Sequence, residues 1–288
     1  MAKHLISAAA ALSVTLASFS ATALTVTPTS DPSALVSNIL GSGITFSNVS
    51  YTGTSTSGGT FGDGMGAVGL DSGILLTSGS VANALGPNDS PNATASYGTA
   101  GDAQLDALIP GYSTHDATSL SFDFTTSTGD LYFDYAFASE EYNDWVGSGY
   151  NDVFGFFVDG QNIALLPGTT TPVSINNVNL NTNSDSYINN SPGSADTQYN
   201  GLTTVLTASV LGLTAGVHTI QLAIADAGDS FLDSGVFIKA GSFSSTPAAS
   251  VPELDASTAL SALMLLAMGT LIISSRRRRA FVPGLVAK

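Results

Sequence analysis

The apolar residues of this chain fall into short runs separated by Gly, Asn, Asp and Ser. Segment 119–124 alternates apolar and polar residues, which indicates a strand with one buried face. Segment 153–158 is apolar almost throughout, as in a strand covered on both faces. Asp159-Gly160 follows it and predicts a tight hairpin. The full pattern predicts strands at 44–51, 73–77, 119–124, 131–138, 153–158, 162–165, 173–178, 203–211, 217–225 and 234–240.

Helical patterns are few and short. Asp31 as a cap, Pro32 in the first turn and Gly41 after the end predict one helix, and 102–108 is a second candidate. Short strands without long intervening helices predict an all-β fold, a β-sandwich or jelly-roll-like single domain with one or two short helices. No sequence unit of 20 to 50 residues repeats, which disfavours a solenoid or propeller.

Both ends of the chain carry apolar segments. Lys3 and His4 precede a short apolar run, and Ala21-Thr22-Ala23 offers small residues for cleavage after Ala23, so 1–23 is predicted to be a signal peptide. Near the other end, an apolar segment approaches the length of a transmembrane helix, and the arginines after it would stay cytoplasmic. The predicted divisions are 1–23 signal helix, 24–243 β domain, 244–250 spacer, 251–279 sorting segment with a transmembrane helix at 256–275, and 280–288 cytoplasmic tail.

The body of the chain between these segments is acidic. Of the seven Lys and Arg residues in the chain, only Lys239 lies in the body, whereas all acidic residues except Glu253 and Asp255 lie there. Nucleic acid and anionic lipid bind through basic side chains, so this composition excludes them as partners of the body. The chain has no cysteine, which excludes thiol catalysis and thiolate metal sites.

Acidic residues are concentrated in two segments, 138–144 with 151–152 and 225–233, each beginning where a predicted strand ends. A buried carboxylate must be protonated, accept hydrogen bonds, pair with a base or bind a cation. Because Lys239 is the only base, a hard cation is favoured, and Ca²⁺ binds carboxylate, amide and backbone oxygens. The candidate ligands, of which at most a subset would share one ion, are Glu140, Glu141, Asp152, Asp226, Asp229 and Asp233.

A second interpretation is that these acids cap turns and keep the loops soluble, since neither segment has the EF-hand spacing. If a strand continues through Glu140 and Glu141, the two side chains point in opposite directions and one of them faces solvent. Glu140 with Asp152 or Asp226 is the nearest carboxylate pair for glycoside hydrolysis.

Other candidate sites have weaker support. His115-Asp116 lacks a Gly-x-Ser-x-Gly motif, and the body has no closely spaced histidine pair for zinc. Segment 58–66 is glycine-rich without a following lysine, which favours a flexible loop over a phosphate site. The aromatic residues around the first acidic segment would form either a sugar-stacking platform or a shield for the base of the loop. They are Tyr142, Trp145 and Tyr150.

Several short motifs are spread over the body. They are Phe-Ala-Ser-Glu-Glu-Tyr at 137–142, Asn-Asp-Val-Phe-Gly-Phe-Phe at 151–157, Ile-Asn-Asn-Val-Asn at 175–179, Tyr-Asn-Gly-Leu-Thr at 199–203 and Ala-Ile-Ala-Asp-Ala-Gly-Asp at 223–229. Together they resemble the choice-of-anchor L domain over about 41–243. The resemblance implies a bacterial surface domain of a family whose members carry differing C-terminal anchors.

The C-terminal segment resembles a PEP-CTERM sorting signal. Val251, Pro252 and Glu253 match its motif, Leu254 replaces the second proline, and an apolar segment and Arg276–Arg279 follow. The resemblance implies a Gram-negative producer of extracellular polysaccharide and an exosortase-like enzyme that acts after signal peptidase. The expected precursor spans the inner membrane through its C-terminal helix, and the mature protein loses that helix.

These observations predict an exported, non-enzymatic β domain at the cell surface or in the extracellular matrix. We expect it to be stabilised by Ca²⁺ and to take part in adhesion or biofilm structure, with extracellular polysaccharide or surface proteins as partners. The alternative is a secreted carbohydrate-binding module or glycoside-active enzyme that uses the three aromatic residues.

Overall fold

A computed structural model describes residues 22–191 and 193–247. Most of the predicted signal peptide, the sorting motif Val251-Pro252-Glu253, the segment 256–275 and the tail 280–288 lie outside these residues. Within the described ranges, no helix has both the length and the apolar character that a membrane crossing requires.

The described residues are mostly β, with few helices, as the sequence predicts. The helices are α1 Pro32–Ile39, α2 Met65–Val68 and α3 Ala103–Leu108. The strands are β1 Thr25–Pro28, β2 Ile44–Thr52, β3 Gly58–Gly62, β4 Gly73–Thr77, β5 Thr114–Thr126, β6 Leu131–Ser139, β7 Val153–Val158, β8 Gln161–Asn162, β9 Tyr187–Asn189, β10 Gly201–Thr203, β11 Leu206–Val210, β12 His218–Ala227 and β13 Ser234–Lys239.

The strands form two antiparallel sheets. One has the order β1-β3-β4-β13-β6-β10-β9, with β11 also paired to β6, and the other has the order β2-β5-β12-β7-β8. Inward-facing rings of β6 and β7 meet in a shared core: ring centroids are 4.7 Å apart for Phe133 and Phe156 and 5.0 Å apart for Tyr135 and Phe154. The two sheets therefore enclose one apolar layer in a sandwich-like arrangement.

The outer face of the second sheet is also covered. Leu105 of α3 packs with Phe157 of β7 and Ala223 of β12 in a separate apolar cluster. This cover explains why 153–158 is apolar almost throughout, since both faces of β7 are buried.

Local signals in the sequence are confirmed at helix starts and at the hairpin. Asp31 accepts hydrogen bonds from the backbone N–H groups of Ser33 and Ala34, and Asp102 caps α3 in the same way. Asp159 and Gly160 have φ of 48° and 82°, the left-handed pair that a tight hairpin between β7 and β8 requires.

Other predictions are wrong. The glycine-rich segment is not a flexible loop, because Gly58–Gly62 forms β3 between β1 and β4. A Cβ at Gly59 would lie 2.8 Å from the carbonyl oxygen of Thr27, so glycine is needed for β1 to approach. Segment 173–178 forms turns with a single bridge from Ser174 to Val153. The predicted strand at 162–165 is only the two-residue β8, and 203–211 is divided between β10 and β11.

The first described residues are tied to the domain. Leu24 is buried, and its backbone N–H donates to Oδ2 of Asp196 at 3.3 Å. β1 follows directly and pairs with β3 over its whole length.

Candidate functional site

The predicted acidic loops meet at one end of the two sheets, where β6 and β12 end and β7 and β13 begin. The antiparallel register sets Ala225 opposite Val153 and Ser234 opposite Ser139. The Oγ of Ser234 donates to Oδ2 of Asp152 at 2.6 Å, a contact that links the two sheets. We call this region the acidic end; its carboxylates belong to Glu140, Glu141, Asp152, Asp226, Asp229 and Asp233.

All of these carboxylates except that of Asp229 are buried. Glu140 and Glu141 are each 1% exposed, so the expectation that one of them faces solvent is wrong. The reason is that β6 ends at Ser139, and the alternation of side chains along a strand does not reach the two glutamates.

Asp233 is fully engaged in hydrogen bonds. Its Oδ1 accepts from the backbone N–H of Ala95 at 2.9 Å and from Oγ1 of Thr94 at 3.2 Å. Its Oδ2 accepts from the backbone N–H of Ser80 at 3.3 Å and from Nδ2 of Asn83 at 2.9 Å. Asp233 therefore fastens the loop over 80–95 to the end of the sheets.

Asp152 is engaged in the same manner, and Asp229 partly so. Oδ1 of Asp152 accepts from the backbone N–H of Ala227 at 2.9 Å, and Oδ2 accepts from Ser234. Oδ1 of Asp229 accepts from the backbone N–H of Phe231 at 3.0 Å. For these residues and Asp233, the turn-capping interpretation describes the contacts.

The remaining carboxylates are buried without partners. Both carboxylate oxygens of Glu140 and of Asp226, and Oε2 of Glu141, have no partner in hydrogen-bond geometry among the described residues. The side chains of Gln198 and Ser78 are close enough to lower the pKa of Glu140 and Asp226, respectively, but burial outweighs them. A buried polar group without a hydrogen bond costs roughly 1–3 kcal/mol, and a buried charge costs more. These three side chains therefore need a proton or a cation.

Burial raises the pKa of these three carboxyl groups. Burial raises the pKa of Glu140 to about 9, and the charge of Asp233 contributes to this rise. Burial also raises the pKa of Glu141 to about 9, and the charges of Asp152 and Asp229 contribute to this rise. Burial and the charge of Asp152 hold the pKa of Asp226 well above its ordinary range. Without a cation, the protonated forms are favoured at neutral pH.

Tyr199 is a further buried polar group affected by these acids. Burial raises the pKa of the Tyr199 hydroxyl, and the charges of Asp233, Glu140 and Asp226 raise it further. The hydroxyl of Tyr199 also lacks a partner within the described ranges. We call Glu140, Asp226 and Tyr199 the inner group; the importance of Tyr199 was not predicted from sequence.

Glu141 faces a different space, an open cleft of about 220 Å³. Asp229, Trp145, Tyr150 and Phe231 also line this cleft, and the Trp145 and Tyr150 rings meet edge to face with centroids 5.3 Å apart. Phe231 is 55% exposed and was not predicted. The sequence signal that could have identified Phe231 as a cleft residue is its position between Asp229 and Asp233 of the second acidic segment.

Tyr142 does not belong to this aromatic surface. It is 1% exposed, and its ring packs against that of Tyr187 with centroids 4.8 Å apart. The predicted platform of three aromatic residues is therefore corrected to Trp145 and Tyr150, with Phe231 added.

Of the two histidines in the body, His115 lies opposite Asp226 in the register of β5 and β12, whereas His218 lies elsewhere. Nδ1 of His218 is 2.7 Å from Oδ2 of Asp159, at the far end of β12. The carboxylate of Asp116 accepts from the backbone N–H groups of Tyr97 and Thr99, so it anchors a loop. Across the described part of the chain, no three His, Asp or Glu side chains are already gathered in the arrangement of a bound metal.

The sequence profile of the choice-of-anchor L domain family matches residues 24–244. The match spans every strand from β1 to β13 and the whole acidic end. No curated protein and no solved structure matches the chain.

Proposed function

The chain belongs to the choice-of-anchor L domain family, a family of surface-associated β domains, and from this premise we propose that it acts outside the cell without catalysis. Its role is adhesion or the building of an extracellular matrix or biofilm, and Ca²⁺ stabilises the domain. An exosortase-like enzyme processes the C-terminal segment in a Gram-negative producer, after which the domain stands at the cell surface or in the matrix.

One observation carries the calcium proposal: the carboxylates of Glu140 and Asp226 are buried without hydrogen-bond partners among the described residues. A hard cation compensates buried carboxylates, and Ca²⁺ accepts six to eight oxygen ligands in flexible geometry. Glu140 and Asp226 would provide the charged ligands. Asp152 and Asp233 would hold the surrounding loops through their existing hydrogen bonds.

The position of these acids also supports a non-enzymatic role. None of Glu140, Asp152 and Asp226 lines the open cleft, so the carboxylate pairs considered from sequence do not face the space that would hold a polysaccharide. Glu141 and Asp229 line an open cleft and are the remaining pair for hydrolysis. Release of new reducing ends from an oligosaccharide, lost in Glu141→Gln, would favour the enzyme.

The calcium proposal is tested by thermal unfolding of the full chain in excess CaCl₂ and in EDTA. At a calcium concentration 100 times Kd, binding adds about 2.7 kcal/mol, which raises Tm by about 5–10 °C for a domain of this size. Asp226→Asn should remove this rise, and in EDTA it should match or exceed the wild type because a buried acid is replaced by a neutral amide. Asp185→Asn, an exposed acid, is the matched control and keeps the rise.

Equal Tm values in calcium and EDTA for the wild type would refute the calcium proposal. A calcium response that survives in Asp226→Asn and Glu140→Gln would place the ion elsewhere. The protein is taken for this experiment from a surface extract of its producing cells, and its intact mass is recorded first. A species that still contains 256–279 would contradict processing of the C-terminal segment.

A further inference from the structure

The cleft at the acidic end brings a buried carboxylate and exposed aromatic rings into one small space. Glu141 is 1% exposed, and its Oε2 has no hydrogen-bond partner within the described residues. Trp145 and Phe231 are 41% and 55% exposed and line the same cleft. A ligand in this cleft contacts aromatic surface and lies next to Glu141, which lines the cleft wall.

The charge of the cleft selects a cationic group. Asp229 is its second acid, and the only Lys or Arg of the described residues, Lys239, lies at the far end of β13, 3.3 Å from Asp134. The described residues therefore supply no Lys or Arg to this cleft. A ligand ammonium would compensate Glu141 and would be attracted to the faces of the aromatic rings, with Trp the strongest partner.

The exposed amide of Asn92, the aromatic lining and the size of the cleft favour a sugar ring as the carrier of this ammonium. The C–H face of a sugar stacks on an aromatic ring such as Trp145, and the side-chain amide of the exposed Asn92 can bond ring hydroxyls. A cleft of about 220 Å³ accommodates a single ring. A lysine side chain has no hydroxyl groups for Asn92.

We propose that the cleft formed by Glu141, Trp145, Tyr150, Asp229 and Phe231 binds an amino sugar with a free ammonium group, such as a glucosamine unit of a partly deacetylated polysaccharide. The choice of a polysaccharide as the source rests on the proposed matrix function. Selectivity for the ammonium rests on the cleft itself.

The test is calorimetric titration of the full chain in excess calcium with three probes: glucosamine tetramer, its fully N-acetylated counterpart and a tetralysine peptide. The free-amine sugar should bind at least about tenfold more tightly than either other probe, because only this probe supplies both charge and ring. Added salt should weaken its binding, since Asp229 and the cleft mouth are reached by counterions.

Variants connect the binding to the cleft. Trp145→Ala and Glu141→Gln should each weaken binding of the glucosamine tetramer by about tenfold. Leu211→Ala and Asp185→Asn are the matched controls: Leu211 is 64% exposed just after β11, at the opposite end of β6, and Asp185 is exposed away from the cleft. Both controls should bind as the wild type does, and the Tm of each variant verifies that it is folded.

Equal binding of the acetylated tetramer would overturn the inference in favour of a neutral sugar site. Equal binding of tetralysine would overturn it in favour of a protein amine. Absence of binding by all three probes, with the calcium-dependent rise in Tm intact, would refute the cleft inference and leave the proposed calcium site standing. Selective binding of the amine without any calcium effect would refute only the calcium site.

Discussion

The two ends of the sheets compensate acidic side chains in opposite ways. At the far end, Asp134 pairs with Lys239 at 3.3 Å, and Asp159 pairs with His218 at 2.7 Å. At the acidic end, Glu140 has no such partner within the described ranges. The body has only one Lys or Arg, and the fold places it beside Asp134, away from the acidic end. Charge compensation at the acidic end must then come from protons or from a bound cation.

The largest expected effect comes from an acid of the acidic end that does have partners. Asp233→Ala removes the acceptor of four hydrogen bonds, two of them from the backbone N–H groups of Ser80 and Ala95. We expect a loss of about 3–5 kcal/mol in the free energy of unfolding, because buried donors become unsatisfied. Urea denaturation in EDTA measures it. Asp226→Asn is the comparison, and an equal loss there would mean that Asp226 has structural partners too.

In EDTA, a change of one pH unit is expected to have an intermediate effect on the free energy of unfolding. The pKa of Glu140 rises from 4.5 in the unfolded chain to about 9 in the folded protein, so the folded state binds the extra proton between these values. The free energy of unfolding should therefore be highest near pH 4.5 and fall toward pH 9, by at most about 1.4 kcal/mol per unit for this group.

Calcium should oppose this fall, because it binds the ionised carboxylate. Urea denaturation at several pH values, in EDTA and in calcium, measures both profiles. Glu140→Gln should make the profile in EDTA less steep, and the raised pKa values of Glu141 and Asp226 account for the slope that remains. Stability that increases with pH in EDTA would contradict a buried, protonated Glu140.

The smallest effect belongs to the far end. The Nε2 of His218 faces the carbonyl oxygen of Thr214 at 2.8 Å while Nδ1 faces Asp159, so the imidazolium form donates both bonds. The hydrogen bond to Asp159 raises the pKa of His218, followed by the bond to Thr214. Its contribution is complete below about pH 6.5 and is lost as pH rises through the raised folded value.

We expect this contribution to be under about 1 kcal/mol, because half of the Asp159 side chain is exposed. The difference in stability between wild type and His218→Gln should be larger at pH 5.5 than at pH 8.5. A difference that is constant with pH would mean that the ring contributes by packing alone. Asp159→Asn in the same comparison separates the ion pair from the bond to Thr214.

The sequence predicts features that depend on neighbours in the chain. The caps at Asp31 and Asp102, the alternation of β5 and the hairpin at Asp159-Gly160 are all local, and the structure confirms them. The sequence does not predict β3, because its glycines resemble those of a loop. They are needed for the close approach of β1, which no local pattern reveals.

The sequence also identified the acids that meet at the acidic end, but treated them as equivalent. Their difference arises from contacts distant in sequence: Ala95 and Ser80, which bond Asp233, lie 138 and 153 positions away from it. For Tyr142 the sequence left two alternatives, a surface platform or a shield for the base of the loop, and its buried ring packed against Tyr187 fits the shield. Which acid keeps a free oxygen is a property of the assembled loops.

The hydrogen bond from the Leu24 backbone N–H to Asp196 has a consequence for proteolytic maturation at the N-terminus. If signal peptidase cuts after Ala23, this amide becomes the new α-amino group, with an ordinary pKa near 7.7. The cut would then create a cation already positioned at 3.3 Å from a carboxylate oxygen. In a body with a single lysine, cleavage itself would add a second positive charge. The resulting ion pair with Asp196 would hold the start of β1 against the domain.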